Sequence, residues 1–142
     1  MTAEEADGGR SAGIPSGEVY DWYQRGLGLL ANGDPAAAVQ LLRHAAEAEP
    51  GSRSVREALA RAQFDAGLVE EARASFEAIL LADPVDDYAR YGLGRSLQRL
   101  GELPAAAEQL ALAVAMRPAS TDYAGALRQV RATLAARRDA DG

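Results

Sequence analysis

The feature that most constrains this chain is a period of 34 residues. Prolines stand at Pro50, Pro84 and Pro118, and glycines at Gly33, Gly67 and Gly101. Alanines at Ala38, Ala72 and Ala106 keep the same step, as do the small residues Gly26, Ala60 and Gly94. The large apolar residues Leu42, Phe76 and Leu110 make a fifth column. Five columns agreeing over three copies mark a stacked array in which each unit buries its apolar face against a neighbour.

Each column has a physical reason. A glycine inside a helix costs about 1 kcal/mol relative to alanine, so Gly26 and Gly94 imply close approach of a second helix. Gly33, Gly67 and Gly101 end the first helix of each unit, where a positive φ is needed. Pro35 and Pro104 fall near the start of the following helix, where proline is tolerated, and Asp34 is placed to cap it. Pro50, Pro84 and Pro118 stop the second helix. Each unit is therefore a pair of antiparallel helices of about 13 residues apiece.

These residues resemble the tetratricopeptide repeat, whose period is 34 residues. The first unit matches through Trp22, Gly26, Gly33, Ala38, Leu42, Ala45 and Pro50. The second matches through Leu59, Ala60, Gly67, Ala72, Phe76 and Pro84, and departs at Arg56, where a bulky apolar residue is usual, and at Ile79, where alanine is usual. The third matches through Leu93, Gly94, Gly101, Ala106, Leu110, Ala113 and Pro118. The resemblance covers about residues 19–118. It implies an all-α fold: three antiparallel helix hairpins in a right-handed solenoid, with repeats at about 19–52, 53–86 and 87–120. A capping helix is expected over 121–138, where Leu127, Val130 and Leu134 give one apolar face against Arg128, Arg131, Arg137 and Arg138.

Outside this domain of residues 18–138, residues 1–17 and 139–142 read as disordered tails, the first rich in glycine, serine and acid. Residues 1–18 carry a net −3 and residues 139–142 a net −2, leaving −1 for residues 19–138 out of a total of −6. A near-neutral core with acidic tails argues against nucleic-acid binding, which needs a basic surface. The start of the chain lacks the pattern of a secretory signal, and no apolar run approaches the ~20 residues of a membrane span. No membrane partner is expected, and a cytoplasmic location is.

The chemistry-bearing residues are few. There is no cysteine, so disulfides and thiolate sites are excluded. All 15 basic residues are arginine. His44 is the single histidine, and with Glu47 it makes at best half a metal site; a solvated surface histidine is expected. The pairs Gly26–Gly28 and Gly92–Gly94 lack the third glycine and preceding strand of a nucleotide loop. Asp83, Asp86 and Asp87 miss the spacing of a calcium loop and are read as caps for the helix that follows. No enzyme, cofactor, metal or catalytic residue is expected.

In the resembled family the first helices of successive units line a concave groove, through positions 2, 5, 9, 12 and 13 of each unit. Carried onto this chain, the first unit offers Tyr20, Tyr23, Leu27, Leu30 and Ala31, and the second Ser54, Glu57, Arg61, Phe64 and Asp65. The third offers Tyr88, Tyr91, Arg95, Gln98 and Arg99. The candidate peptide-binding residues are Tyr20, Tyr23, Leu27, Arg61, Phe64, Tyr88, Tyr91, Arg95, Gln98 and Arg99. Tyrosine suits a recognition surface because it combines area, few rotors and a polar tip, though the same residues can simply pack between helices. Arg95 and Arg99 stand four apart, where like charges repel by a few tenths of a kcal/mol, and a bound acidic group would relieve them. Arg61 is flanked by Glu57 and Asp65, which neutralise it.

The expected role is a protein-interaction adaptor that binds a protein or peptide, acidic in character, in this groove. The alternative is a self-associating scaffold, a homo-oligomer formed through exposed Leu27, Leu30 and the tyrosines. Chaperone-binding members of the family clamp a terminal carboxylate with Lys and Asn in the first helices. This chain has no lysine, and Asn32 lies at a helix end, so that clamp is not expected. The acidic tail of residues 1–18 extends ~60 Å at most and is a candidate competitor for the groove.

Overall fold

A computed structural model describes residues 17–142. They form seven helices: α1 (Gly17–Ala31), α2 (Pro35–Ala48), α3 (Arg53–Asp65), α4 (Val69–Ala82), α5 (Asp87–Arg99), α6 (Leu103–Met116) and α7 (Thr121–Asp141). No strand occurs among the described residues. The fold is in the all-α class, and in chain order the helices follow as α1–α2, α3–α4 and α5–α6 with α7 last. Two boundaries differ. Gly17, expected in the leading tail, is the first residue of α1, and residues 139–141, expected as a trailing tail, are the last turn of α7. Residues 1–16 of the acidic tail expected to compete for the groove lie outside the described residues.

The turns inside the hairpins share one construction. Gly33, Gly67 and Gly101 have φ of 78, 84 and 83°, a conformation that a side chain disfavours. Around each, two hydrogen bonds close the preceding helix. Gly33 N donates to Leu30 O at 3.1 Å and Asp34 N to Leu29 O at 2.8 Å, and the same pair of bonds recurs at Gly67/Leu68 and Gly101/Glu102. This paired closure satisfies carbonyls that a helix end leaves open. Helix starts are capped as regularly. Asp34, Ser52, Asp86 and Ser120 each accept a backbone N–H three residues on, from Ala37, Val55, Ala89 and Tyr123. Three of these caps, Ser52, Asp86 and Ser120, stand 34 residues apart and form a sixth column of the repeat.

The described chain falls into two compact units that divide between Ser75 and Phe76. In the first, α1 packs on α2 and α2 on α3. A Cβ added to Gly26 would lie 2.6 Å from the Leu42 side chain, so the glycine is what lets α1 seat on α2. Leu30, Ala38, Val39, Leu42, Ala58 and Ala62 form one apolar cluster, and Val19, Ala45 and Val55 a second. Ser75 Oγ donates to Gln63 Oε1 at 2.6 Å, tying α4 to α3, and Arg43 pairs with Glu71 at 3.2 Å.

In the second unit α5 packs on α6, and α7 on both. A Cβ on Gly92 would stand 2.3 Å from the Phe76 ring, and one on Gly94 would stand 2.7 Å from the Leu110 side chain. Phe76 and Leu110 are buried, as is Ile79, which occupies the position where alanine is usual. Arg90 joins α5 to its surroundings, donating to Gln109 Oε1 at 3.1 Å and to Pro84 O at 2.9 Å. On α7, Leu127 and Val130 are buried while Arg128, Arg131, Arg137 and Arg138 face solvent.

Gly92→Ala should destabilise the protein by about 1–3 kcal/mol, because its Cβ would stand 2.3 Å from the buried Phe76 ring and force it to shift. Gly28→Ala meets nothing within 4 Å and should stabilise by up to about 1 kcal/mol. Urea unfolding of both variants checks the contrast, and equal effects would refute the packing reason for Gly92.

Candidate ligand-binding face

On α5, Tyr88, Tyr91 and Arg95 follow at steps of three and four, and Gln98 and Arg99 stand three and four residues beyond Arg95. Such spacing places them on one helical stripe. The first four are half-buried and Arg99 is exposed. Tyr88 meets Phe76 edge-on, with centroids 6.1 Å apart and planes at 68°, and lies 6.5 Å from Tyr91. Both are geometries that aromatic pairs favour. Arg95 Nη1 donates to the Tyr91 hydroxyl at 2.9 Å, and its Cζ sits 5.8 Å over the Tyr91 ring, within cation–π range. Gln98 Oε1 is buried without a hydrogen-bond partner, an acceptor that gains by meeting a donor.

The other face of this stripe is built by α7. The Tyr123 ring is buried and stacks on Tyr91, with centroids 4.7 Å apart and planes at 22°. Its hydroxyl donates to Asp87 Oδ2 at 2.7 Å, and Arg117 Nε lies 2.9 Å from the same oxygen. Burial alone would raise the Asp87 carboxyl, but the hydrogen bond from Tyr123 and the Arg117 guanidinium outweigh it and hold it below the ordinary aspartate range. For Tyr123, burial first, then hydrogen bonding to Asp87 and the charge of that carboxylate, push the phenol above its ordinary value. Of the three aspartates read as caps, Asp86 caps α5 and Asp83 accepts from Val85 N at 3.4 Å. Asp87 has a different role, as the acceptor for Tyr123 and Arg117.

The candidates of the first unit gather separately. Tyr20 is exposed on α1 at 43%. Tyr23 and Leu27 are half-buried and pack on the apolar clusters of that unit. Leu30, expected in an exposed dimer patch, is buried at 8%, because it points into the seam between α1 and α2. The self-association patch thus loses that leucine and half of Leu27. On α3, Arg61 is exposed and pairs with Asp65 at 3.7 Å, and Phe64 is half-buried. His44 is exposed and lies against Trp22, with ring centroids 4.3 Å apart.

The sequence reading missed Tyr123 and Arg117. Neither stands at a repeated groove position, and their importance comes from a contact that joins residues 36 and 30 positions apart. Among the described residues no group of three or more His, Cys, Asp or Glu is arranged to hold a metal ion, and no helix is long and apolar enough to cross a membrane.

A family model described as tetratricopeptide repeat matches residues 29–90. Among solved structures, the Sgt2 TPR domain from Aspergillus fumigatus is similar at a TM-score of 0.80 and 20% identity, over 87% of this chain and 84% of that one. The first TPR domain of human RPAP3 is similar at a TM-score of 0.78 and 16% identity, over 85% of this chain and 95% of that one. The second TPR domain of human RPAP3, solved in complex with the HSP70 peptide SGPTIEEVD, is similar at 0.71 and 19% identity, over 78% and 92%. At these identities the likeness shows the fold. No curated protein matches the sequence.

The contact of Tyr123 with Asp87 predicts a pH signature. Asp87 has a folded value below its unfolded one, so its contribution is complete above about pH 4 and fades as pH falls through the folded value. Tyr123 has a folded value above its unfolded one, so its contribution is complete below about pH 10 and fades as pH rises beyond it. The stability lost in Tyr123→Phe, about 1–3 kcal/mol near neutrality, should shrink at both extremes. Denaturant unfolding across pH measures this, and a pH-independent difference would show that the contact does not form.

Proposed function

We propose that this chain is a tetratricopeptide-repeat protein-interaction module whose α5 face takes an acidic peptide segment of a partner, a reading supported by the family model over residues 29–90 and by the fold of its structural neighbours. The observation that carries the reading is the stripe of Tyr88, Tyr91, Arg95, Gln98 and Arg99. It sets aromatic area, two cationic groups and a buried amide acceptor along one helix. Such a line suits an extended peptide: tyrosine faces cover its side chains, Gln98 Oε1 receives an N–H, and guanidinium groups meet carboxylates.

A structural neighbour adds support of a different kind. The peptide bound by the second TPR domain of human RPAP3 ends in Glu-Glu-Val-Asp. The present chain has no lysine, so recognition of such acidity falls to arginine, whose planar fork binds a carboxylate through two parallel hydrogen bonds. Within the first unit, exposed Tyr20 and Arg61 and half-buried Tyr23, Leu27 and Phe64 are proposed as peptide contacts of that unit by itself.

The labelled peptide SGPTIEEVD and its neutral analogue SGPTIQQVN with an amidated end are the probes, titrated by fluorescence anisotropy. The acidic peptide should bind at least about tenfold more tightly, a difference of about 1.4 kcal/mol. Arg95→Glu/Arg99→Glu should erase that preference. Equal titration of the two peptides, or an unchanged preference in the double variant, removes the reading.

A further inference from the structure

The last helix of a stacked array has an obvious task, to shield the final apolar face from water. The buried residues Ala126, Leu127 and Val130 of α7 do this. Tyr123 does something more. Its backbone N–H is fixed by the Ser120 cap at 3.2 Å and its hydroxyl by Asp87 at 2.7 Å, so the ring is held at both ends. Asp87 is itself held by Arg117, the residue that closes α6. The held ring lies flat on Tyr91 at 4.7 Å, and Tyr91 in turn receives Arg95 on its hydroxyl at 2.9 Å. Contacts in series therefore run from the end of α6, through α7, to the arginine in the middle of α5.

The consequence is entropic. A long arginine side chain carries about 2 kcal/mol of rotamer freedom, and holding it in one orientation before the ligand arrives removes part of the cost of binding. A tyrosine free to swing cannot supply that hold. A tyrosine clamped between Tyr123 and the body of α5 can.

We propose that Tyr123 is a positioning residue for the ligand face, setting Tyr91 and through it Arg95 for an acidic ligand, so that α7 is a working part of the recognition surface as well as a cap. This rests on the acidic-peptide reading of the α5 face. The ring and the hydroxyl act separately: the ring supplies the stack, and the hydroxyl, through Asp87, fixes the ring's orientation.

The test is a double-mutant cycle with the labelled peptide SGPTIEEVD, run where circular dichroism shows every variant folded. Tyr123→Leu, which removes the stack, should weaken binding about 5–10-fold in the otherwise unaltered chain and less than about twofold when Arg95→Ala is already present. Tyr123→Phe keeps the stack and should recover most of that loss, leaving a deficit of about 2–3-fold that Asp87→Asn reproduces. Tyr123→Phe also carries the test if Tyr123→Leu does not fold. Equal weakening in both Arg95 backgrounds, or unaltered affinity in a folded Tyr123→Leu variant, overturns the proposal while leaving the α5 reading intact. An Arg95→Ala variant that binds as tightly as the parent overturns both.

Discussion

The contact on which the rest of this structure depends is a large apolar side chain seated where its partner helix has no side chain. Leu42 occupies the space over Gly26, Leu110 that over Gly94, and Phe76 that over Gly92. Two helices can approach this closely only if one of them omits a Cβ at the crossing, and the omission costs helix stability that the buried Leu or Phe must offset. A fully buried side chain of that size contributes about 1.5–3 kcal/mol against about 1 kcal/mol for the glycine, so the exchange is favourable. It also fixes the rotation of α1 and α5 about their axes. Once Gly94 faces Leu110, the stripe of Tyr91, Arg95 and Gln98 has no freedom to turn toward α6. A packing contact thus decides which residues of α5 stay clear of α6.

Because this constraint is local and repeated, most of the fold was legible before any coordinates. Gly33, Gly67 and Gly101 announce positive φ, and the prolines announce helix ends, without knowledge of what lies across the structure. The caps show where the reading fell short. Ser52, Asp86 and Ser120 recur at the same 34-residue step, yet the column went unread because serine and aspartate look unlike each other, although both offer an oxygen to the same N–H. In the run Asp83, Asp86 and Asp87 the acidic cluster was read as one function. The helix separates neighbours by about 100°, so Asp86 turns toward the backbone of its own first turn and Asp87 toward α7.

Side-chain partners were less legible than elements. Leu30 looked available for self-association because it belongs to a face that the repeat assigns to recognition, but its neighbours on α2 and α3 cover it. Tyr91 and Tyr88 came out of the repeat as ligand contacts, whereas Phe76 and Tyr123 each engage one of their faces or edges. Packing between helices and readiness to bind are compatible uses of one ring, since a tyrosine supported on one side keeps its orientation on the other. Tyr123 itself could not be found from periodicity, because α7 follows the last full repeat and its partner Asp87 lies two helices earlier.

The absence of lysine gives this arrangement its chemistry. An ammonium is a compact, strongly hydrated charge on a flexible stem, and a tyrosine ring beneath it does little to set its direction. A guanidinium is planar. It can donate one N–H to the Tyr91 hydroxyl and lie over the ring, as Arg95 does, and both contacts restrict the direction of its plane. Orientation therefore passes from a ring to a charge only when the charge is arginine. In this chain all 15 basic residues are arginine, and the aromatic stack of Tyr123 on Tyr91 is continued by such a guanidinium at Arg95.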